Sequence, residues 1–376
     1  MLRYTFDLSM SINRCLIICP YPRGRAANQR FRFEQYLSGL NHEINQVSFW
    51  NANEWPALYS SIPLWKKVLY TAKAFLRRFF CLFTLFEYDL IFIHREATPV
   101  GPPWFEWVAA VVFKKQIVYD FDDAIWLPNS SSENAKFVGG LKNHGKVGKI
   151  CSWSKTVVVG NQFLANYASQ FCLDVRVIPT TIDTKNLHNS NLLKANSNNT
   201  QLQTIGWTGT HSTIKQLLPL FPLLEKINKT HPFRFLIIAD IPPENMSVFM
   251  EFRKWNKDSE ILDLIEFDLG IMPLFDTEWE YGKCGFKALQ YMALEIPAIV
   301  SAVGVNIEIV QDGVQGFVVD PMPIKDETAW TNAIITLLED DKLRTEMGKK
   351  GRSRIEEAYS LNSQLEAYRQ IFDPLL

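Results

Sequence analysis

The chain of 376 residues carries 39 Lys plus Arg against 40 Asp plus Glu, a formal net charge of -1, with 47% hydrophobic and 21% charged residues. That length suits two domains, the apolar share excludes wholesale disorder, and the balanced charge excludes a global field that would draw the chain to nucleic acid. Six dispersed cysteines without metal-ligand spacing read as buried, reduced thiols; with no secretory signal and no apolar run of about 20 residues to span a membrane, the cytoplasm is the expected location.

Short apolar, β-branched runs alternate with longer segments of helical period, the rhythm of βαβ units around a parallel sheet. In the first half the predicted strands are 15–19, 44–49, 90–94, 116–119, 156–159 and 175–178, and the predicted helices 28–40, 64–83, 103–113 and 162–170. Strand 15–19 opens into PYPRGRAANQRFRFEQYL, where Gly24 permits close backbone approach and Arg23, Arg25, Arg30 and Arg32 form a local positive patch. Anion or acceptor binding is the expectation for Arg25, Arg30 and Arg32; a solvated basic loop is the alternative. The stretch LWKKVLYTAKAFLRRFFCLFTLF at 64–86 combines five cations with abundant aromatics. That composition suits either peripheral contact with the inner face of an anionic membrane or a helix packed on the sheet with its lysines solvated. Strand 116–119 ends in Asp120, Asp122 and Asp123. Carboxylates crowded at a strand's carboxyl end repel one another and point to a ligand; N-capping by Asp123 is the alternative.

Residues 185–203, rich in Asn and Ser without apolar period, read as a linker. The pattern then restarts with strands at 202–207, 234–239, 269–273, 298–301 and 316–319. Helices are predicted at 214–228, 260–267, 285–294, 325–339 and 341–358, with a last one at 360–372. In TIGWTGTHSTIKQL the turn from Gly206 to Gly209, with hydroxyls at Thr208, Thr210 and Ser212, suits a phosphate cradle; an N-cap at Ser212 or Thr213 is the alternative.

The most informative stretch is LGIMPLFDTEWEYGKCGFKALQYMALEIPAIVSAVGVNIEIVQDGVQG at 269–316. A strand ends at Pro273, a loop leads to Gly282, and a helix opens near Gly285 with its unpaired N–H groups and positive dipole end. Lys283, Lys287 and Gln290, spaced by four and three, share one helix face, while Phe286, Leu289, Met292 and Ala293 form the packing face. Two cations at the positive end of a helix call for an anion, and a diphosphate fits. Two exposed lysines on an ordinary amphipathic helix are the alternative.

This stretch resembles glycosyltransferase family 4, the retaining GT-B glycosyltransferases, in which two glutamates separated by seven residues precede AMA-x-G-x-P, a strand, a glycine-rich turn, EIV and DG-x-x-G. Downstream of the glutamates GKCGFKALQYMALEIPAIVSAVGVNIEIVQDGVQG departs only in Glu295, which replaces a glycine; the glutamate positions themselves fall on Gly282 and Gln290. The GKCGFK form looks like a branch of the family with lysines taking over anion binding. The resemblance implies an α/β fold of two Rossmann-like domains with parallel sheets facing across a cleft. The acceptor domain is expected at 1–184, rejoined by 360–376, and the donor domain at 204–359. It implies sugar transfer with retention from a nucleoside diphosphate sugar to a glycan or lipid-linked acceptor, as in cell-surface polysaccharide or lipopolysaccharide synthesis, with neither cofactor nor metal. Lys283 and Lys287 would stabilise the departing diphosphate. Gly206, Thr208, Gly209, Thr210, Ser212, Gly282, Gly285 and Phe286 would surround the donor, with Gly24 over its phosphates and Gln290 on the ribose. Trp255 would line the nucleobase pocket, core packing being its alternative role. Asp122 and Asp123 would hold a sugar hydroxyl or the acceptor, and Glu278 or Glu280 would have to replace the carboxylate missing at Gly282. The same residues also accommodate an inactive sugar-nucleotide-binding protein, or a GT-B-like sugar-nucleotide epimerase.

Overall fold

The computed structural model describes residues 14–40, 42–58, 62–128, 143–189 and 202–372. The chain divides into two compact units, Met1–Ile178 with Leu365–Leu376, and Pro179–Gln364. Most of the 185–203 stretch lies outside the described residues.

The first unit holds β1 (Arg14–Cys19), β2 (Glu43–Ser48), β3 (Leu90–His94), β4 (Gln116–Phe121), β5 (Thr156–Val159) and β6 (Val175–Val177). They form one sheet in the order β2-β1-β3-β4-β5-β6, every neighbour parallel. A strand buried on both faces needs a continuous apolar run, which is why LIFIH and TVVV read so clearly. The order reverses between β1 and β3, so the loops beyond those strands border the crevice where doubly wound sheets bind ligands. The helix Leu361–Phe372 reaches this unit, with Tyr368 stacked on Tyr36 at 3.9 Å and Phe372 on Phe92 at 5.4 Å.

The second unit holds β7 (Thr204–Thr208), β8 (Arg234–Ala239), β9 (Met250–Lys254), β10 (Leu269–Met272), β11 (Ala298–Ser301) and β12 (Gly316–Val319). Their order, β12-β11-β10-β7-β8-β9, is all parallel. Counted within the unit this is the 3-2-1-4-5-6 order of dinucleotide-binding sheets, with its switch point between β7 and β10.

Several elements differ from expectation. β9, MEFRK, lacks an apolar run because it is an edge strand whose charges are paired: Arg253 meets Asp263 at 2.9 Å and Glu266 at 2.5 Å. The helix Lys146–Trp153 is a further element that the apolar period did not reveal. The expected helix 28–40 is a single turn, Ala27–Arg30, then a 3-10 segment, Glu34–Gly39, because Arg32 and Phe33 between them turn wholly into the core. The expected helix 214–228 is interrupted at Leu218–Leu220, where Pro219 lacks the N–H that would continue it.

Candidate functional site

At the switch point of the second unit, β7 delivers Trp207 and Thr208 into a tight turn. The Thr208 N–H donates to the Tyr291 hydroxyl at 3.1 Å, and the Gly209 N–H donates to the Ile238 carbonyl at 3.0 Å. A Cβ at Gly209 would lie 2.3 Å from the Trp207 ring and 2.6 Å from Thr213 Oγ1, so only glycine closes this turn. Thr210 is the N-cap of the helix His211–Leu217: its N–H donates to Thr213 Oγ1 at 3.0 Å, and its hydroxyl meets that of Ser212 at 2.9 Å. Capping and the placing of two hydroxyls beyond β7 are thus done by the same residues.

Gly206 is corrected: it lies inside β7, and a Cβ there would fall 2.0 Å from the Phe267 ring, so it admits a packing partner rather than a phosphate. His211 and Asp240 were missed. The Asp240 carboxylate, just beyond β8, accepts the His211 N–H at 2.6 Å and lies 2.5 Å from its Nδ1. Two residues 29 apart in sequence carry no local signal of pairing. Trp255 is 36% exposed just beyond β9, with its N–H bonded to the Ala239 carbonyl, so it is not a core residue.

Across the switch point, beyond β10, comes the short helix Glu278–Tyr281, capped at its end by Gly282, and then the helix Phe286–Ala293. Gly285 at its N-cap takes a left-handed φ of 65°, and a Cβ there would lie 2.2 Å from Ile309 Cδ1. Lys283 therefore precedes the helix, and the single face expected for Lys283, Lys287 and Gln290 is corrected. The helix opens at Phe286, because the chain must first pass through a conformation only glycine takes readily.

The Lys283 ammonium stands 3.5 Å from Glu280 Oε2, and Lys287 Nζ lies 5.6 Å from the centre of the Trp207 ring. Phe286 is half-buried, and Gln290 is only 5% exposed. Glu278 is exposed, whereas Glu280 is buried with an Oε2 that has no hydrogen-bond partner among the described residues. Burial of an ionised carboxylate is costly without compensation, and the Lys283 charge supplies part of it. The far end of the helix is anchored by Arg352, whose guanidinium donates to the carbonyls of Ala293 at 2.5 Å, His188 at 2.6 Å and Thr184 at 2.8 Å.

In the first unit the three aspartates are met by the protein's own cations. Asp120 is fully buried, 2.5 Å from Arg32 Nη2 and 2.6 Å from His94 Nδ1. Burial pushes its pKa up, but Arg32 and then His94 more than offset this and hold it below the ordinary carboxylate range. Arg32 has no exposed surface, so its expected role in binding an external anion is corrected: it neutralises Asp120 and bonds the Ile178 carbonyl. Asp122 and Asp123 share Arg95, which donates through Nε to Asp122 Oδ1 at 2.8 Å and through Nη2 to Asp123. Arg95 was overlooked in the sequence, although it sits just beyond β3 with a φ of 59° that non-glycine residues rarely adopt. Burial works against its charge, yet Asp122 and Asp123 raise its pKa above the ordinary arginine value. Among the described residues that follow, 124–128, there is no helix for Asp123 to cap. Gly24 takes a φ of 74° and donates its N–H to Glu34 Oε2 at 2.8 Å. Arg23 and Arg25 are exposed, and Arg30 lies over the Phe31 ring at 4.9 Å. The basic patch is therefore Arg23, Arg25 and Arg30.

Residues 271–354 match the family model described as Glycosyl transferases group 1. Among curated proteins none matches the chain. Of solved structures, sucrose-phosphate synthase from Thermosynechococcus elongatus is similar with a TM-score of 0.70 and 17% identity, over 96% of this chain and 99% of that one. A glycosyltransferase from Rickettsia africae gives 0.66 and 16%, over 96% and 98%. HepE from Anabaena, in a complex with UDP and glucose, gives 0.64 and 14%, over 96% and 99%. The two six-stranded parallel sheets are those of the GT-B glycosyltransferase fold.

Proposed function

We propose that the chain is a nucleotide-sugar glycosyltransferase of the family 4 kind, transferring a hexosyl group with retention from a nucleoside diphosphate sugar to a glycan or lipid-linked acceptor. The observation that carries this reading is the pair of segments that follow the neighbouring strands β7 and β10 at the switch point of a 3-2-1-4-5-6 sheet, with Lys287 Nζ 5.6 Å from the Trp207 ring and Lys283 3.5 Å from the buried Glu280. The match of residues 271–354 to glycosyl transferases group 1 and the UDP complex of HepE support it.

In this reading Lys283, Lys287 and the first N–H groups of the helix Phe286–Ala293 hold the diphosphate and stabilise the charge that grows on it as the glycosidic bond breaks. Gln290 takes the ribose hydroxyls, and Glu280 takes hydroxyls of the donor sugar, replacing the carboxylate missing at Gly282. The departing phosphate accepts the proton of the acceptor hydroxyl, so no protein nucleophile is invoked. Asp122 and Asp123, fixed by Arg95, receive the acceptor hydroxyls. Synthesis of a cell-surface polysaccharide is the setting this chemistry suits.

A panel of nucleoside diphosphates and sugar nucleotides in a thermal-shift assay tests the donor site, and product analysis tests the transfer. Stabilisation by none of them removes the reading. The lack of both family glutamates favours a second reading, a sugar-nucleotide-binding protein without turnover. Tight donor binding with neither transfer nor donor hydrolysis would establish that alternative.

A further inference from the structure

We infer that the first unit docks on an anionic lipid bilayer through a two-part apolar face, made by the helix Leu64–Cys81 with its continuation Leu82–Glu87 and by the neighbouring segment from Trp104 to Lys115. The inference is independent of the donor-site reading.

The helix is inverted relative to one that packs on a sheet in water. Its buried residues are Ala74, Arg78 and Cys81. Arg78, 1% exposed, donates to the carbonyls of Ala97 at 2.9 Å, Val47 at 3.3 Å and Cys19 at 3.3 Å. Arg77 pairs with Glu54 and bonds the Phe49 carbonyl. Two arginines thus face the protein while large apolar groups face away from it. Trp65, Val68, Leu76, Phe80, Phe83 and Phe86 are 57–69% exposed. The second segment extends the surface, because Trp107, Val111, Val112 and Phe113 are 38–55% exposed. An apolar hollow of about 500 Å³ between the two parts is lined by Ala72, Phe75, Leu76, Phe79 and Trp104. Scattered exposed apolar residues need no explanation, but a contiguous face of this kind marks a partner.

Charge decides the partner. The helix carries Lys66, Lys67 and Lys73 beside its two inward arginines and no acidic residue, and Lys114 is exposed at the end of the second segment. A second copy of the chain meeting this face about a two-fold axis would set lysines against lysines. Anionic headgroups complement them, with the lysines reaching toward the headgroups and the aromatic rings entering the interface. Among the described residues no helix is long and apolar enough to cross a membrane, so the contact is peripheral.

The test is co-sedimentation of the full chain, without nucleotide sugar, with vesicles of phosphatidylcholine alone or with a quarter of phosphatidylserine. The wild-type chain pellets with the anionic vesicles and is released by high salt. Lys66→Gln with Lys73→Gln weakens anionic binding about thirty-fold, and Phe80→Ser with Phe83→Ser abolishes it. Val248→Ser, at an exposed apolar position of the second unit, pellets as wild type. Melting curves matching wild type show that the variants fold; should the phenylalanine pair fail this, the lysine pair decides. A wild-type chain left in the supernatant, or both pairs pelleting like wild type, overturns the proposal. Light scattering that finds a dimer dissolved by the phenylalanine pair assigns the face to a second copy and overturns it equally.

Discussion

Lys283 Nζ stands 3.5 Å from Oε2 of Glu280, three residues earlier. Glu280 lies in the short helix Glu278–Tyr281 and Lys283 in the turn between it and the N-cap Gly285, so a buried carboxylate and a half-buried ammonium precede the entrance of one helix. In the proposed reading the two charges divide the donor, the lysine facing diphosphate and the carboxylate facing sugar.

Lys283→Ala is expected to lower turnover by about 10²–10³, the usual loss when a preorganised group that stabilises developing charge is removed. The melting temperature stays near that of the wild type. Turnover equal to the wild type's sinks the assignment of Lys283 to the leaving diphosphate.

Glu280→Gln keeps the shape and removes the charge. Turnover with the best-stabilising sugar nucleotide should fall by roughly 10²-fold, since a charged hydrogen bond to substrate contributes about 1.5–3 kcal/mol. The dissociation constant for the corresponding nucleoside diphosphate should change by less than about twofold, because that ligand lacks the sugar. Equal losses for both ligands would instead mean that Glu280 merely positions Lys283.

Arg95→Lys leaves a single ammonium where a guanidinium joins Asp122 and Asp123. Transfer to acceptor should drop by about tenfold or more, mainly through a raised acceptor KM, while donor hydrolysis is unaffected. Parallel loss of hydrolysis and transfer would detach Arg95 from the acceptor.

Asp120 tests the buried network of the first unit. Its folded-state pKa lies below its unfolded value, so its contribution to stability is fully present above about pH 4 and is lost as the pH falls through the depressed folded value. Asp120→Asn leaves Arg32 buried without its counter-charge, at a cost of about 3–5 kcal/mol near neutral pH. Denaturant unfolding should show that difference undiminished at pH 7 and shrinking below pH 4. A pH-independent difference would show that Asp120 contributes no charge.

Glu295 takes a φ of 56° just past the helix Phe286–Ala293, with its N–H bonded to the Met292 carbonyl and that of Ile296 to the Tyr291 carbonyl. This is the Schellman ending, whose left-handed residue is ordinarily glycine. Glu295→Gly should therefore raise stability by about 0.5–1 kcal/mol, measured by denaturant unfolding, with activity unchanged.

The Glu295 position also shows what was legible beforehand. Apolar runs bounded by polar turns revealed β1, β3, β5, β8 and β11, because a strand covered on both faces needs nearly every side chain apolar. Gly24 could be read as a point of special backbone because left-handed φ is a local demand, seen here as 74°. The strand-loop-helix motif from Leu269 to Gln290 could be placed for the same reason: its constraints span a few residues each.

Tertiary structure alone decided which charges turn inward. Arg32 and Arg25 read alike in one basic loop, yet Arg32 is fully buried on Asp120, 88 residues away, and Arg25 is exposed. Glu278 and Glu280 are alike in type and neighbourhood, and only the pitch of a single helical turn buries the second. β9 stayed hidden because its side chains are charged and paired across the surface, so it carries no apolar run. The inward arginines of the helix Leu64–Cys81 followed no helical rule, since the carbonyls that receive Arg78 come from three separate strand and loop ends. Backbone conformation and strand burial are set by neighbours in sequence, whereas the partner of a charge is set by whatever the fold brings within about 3 Å of it.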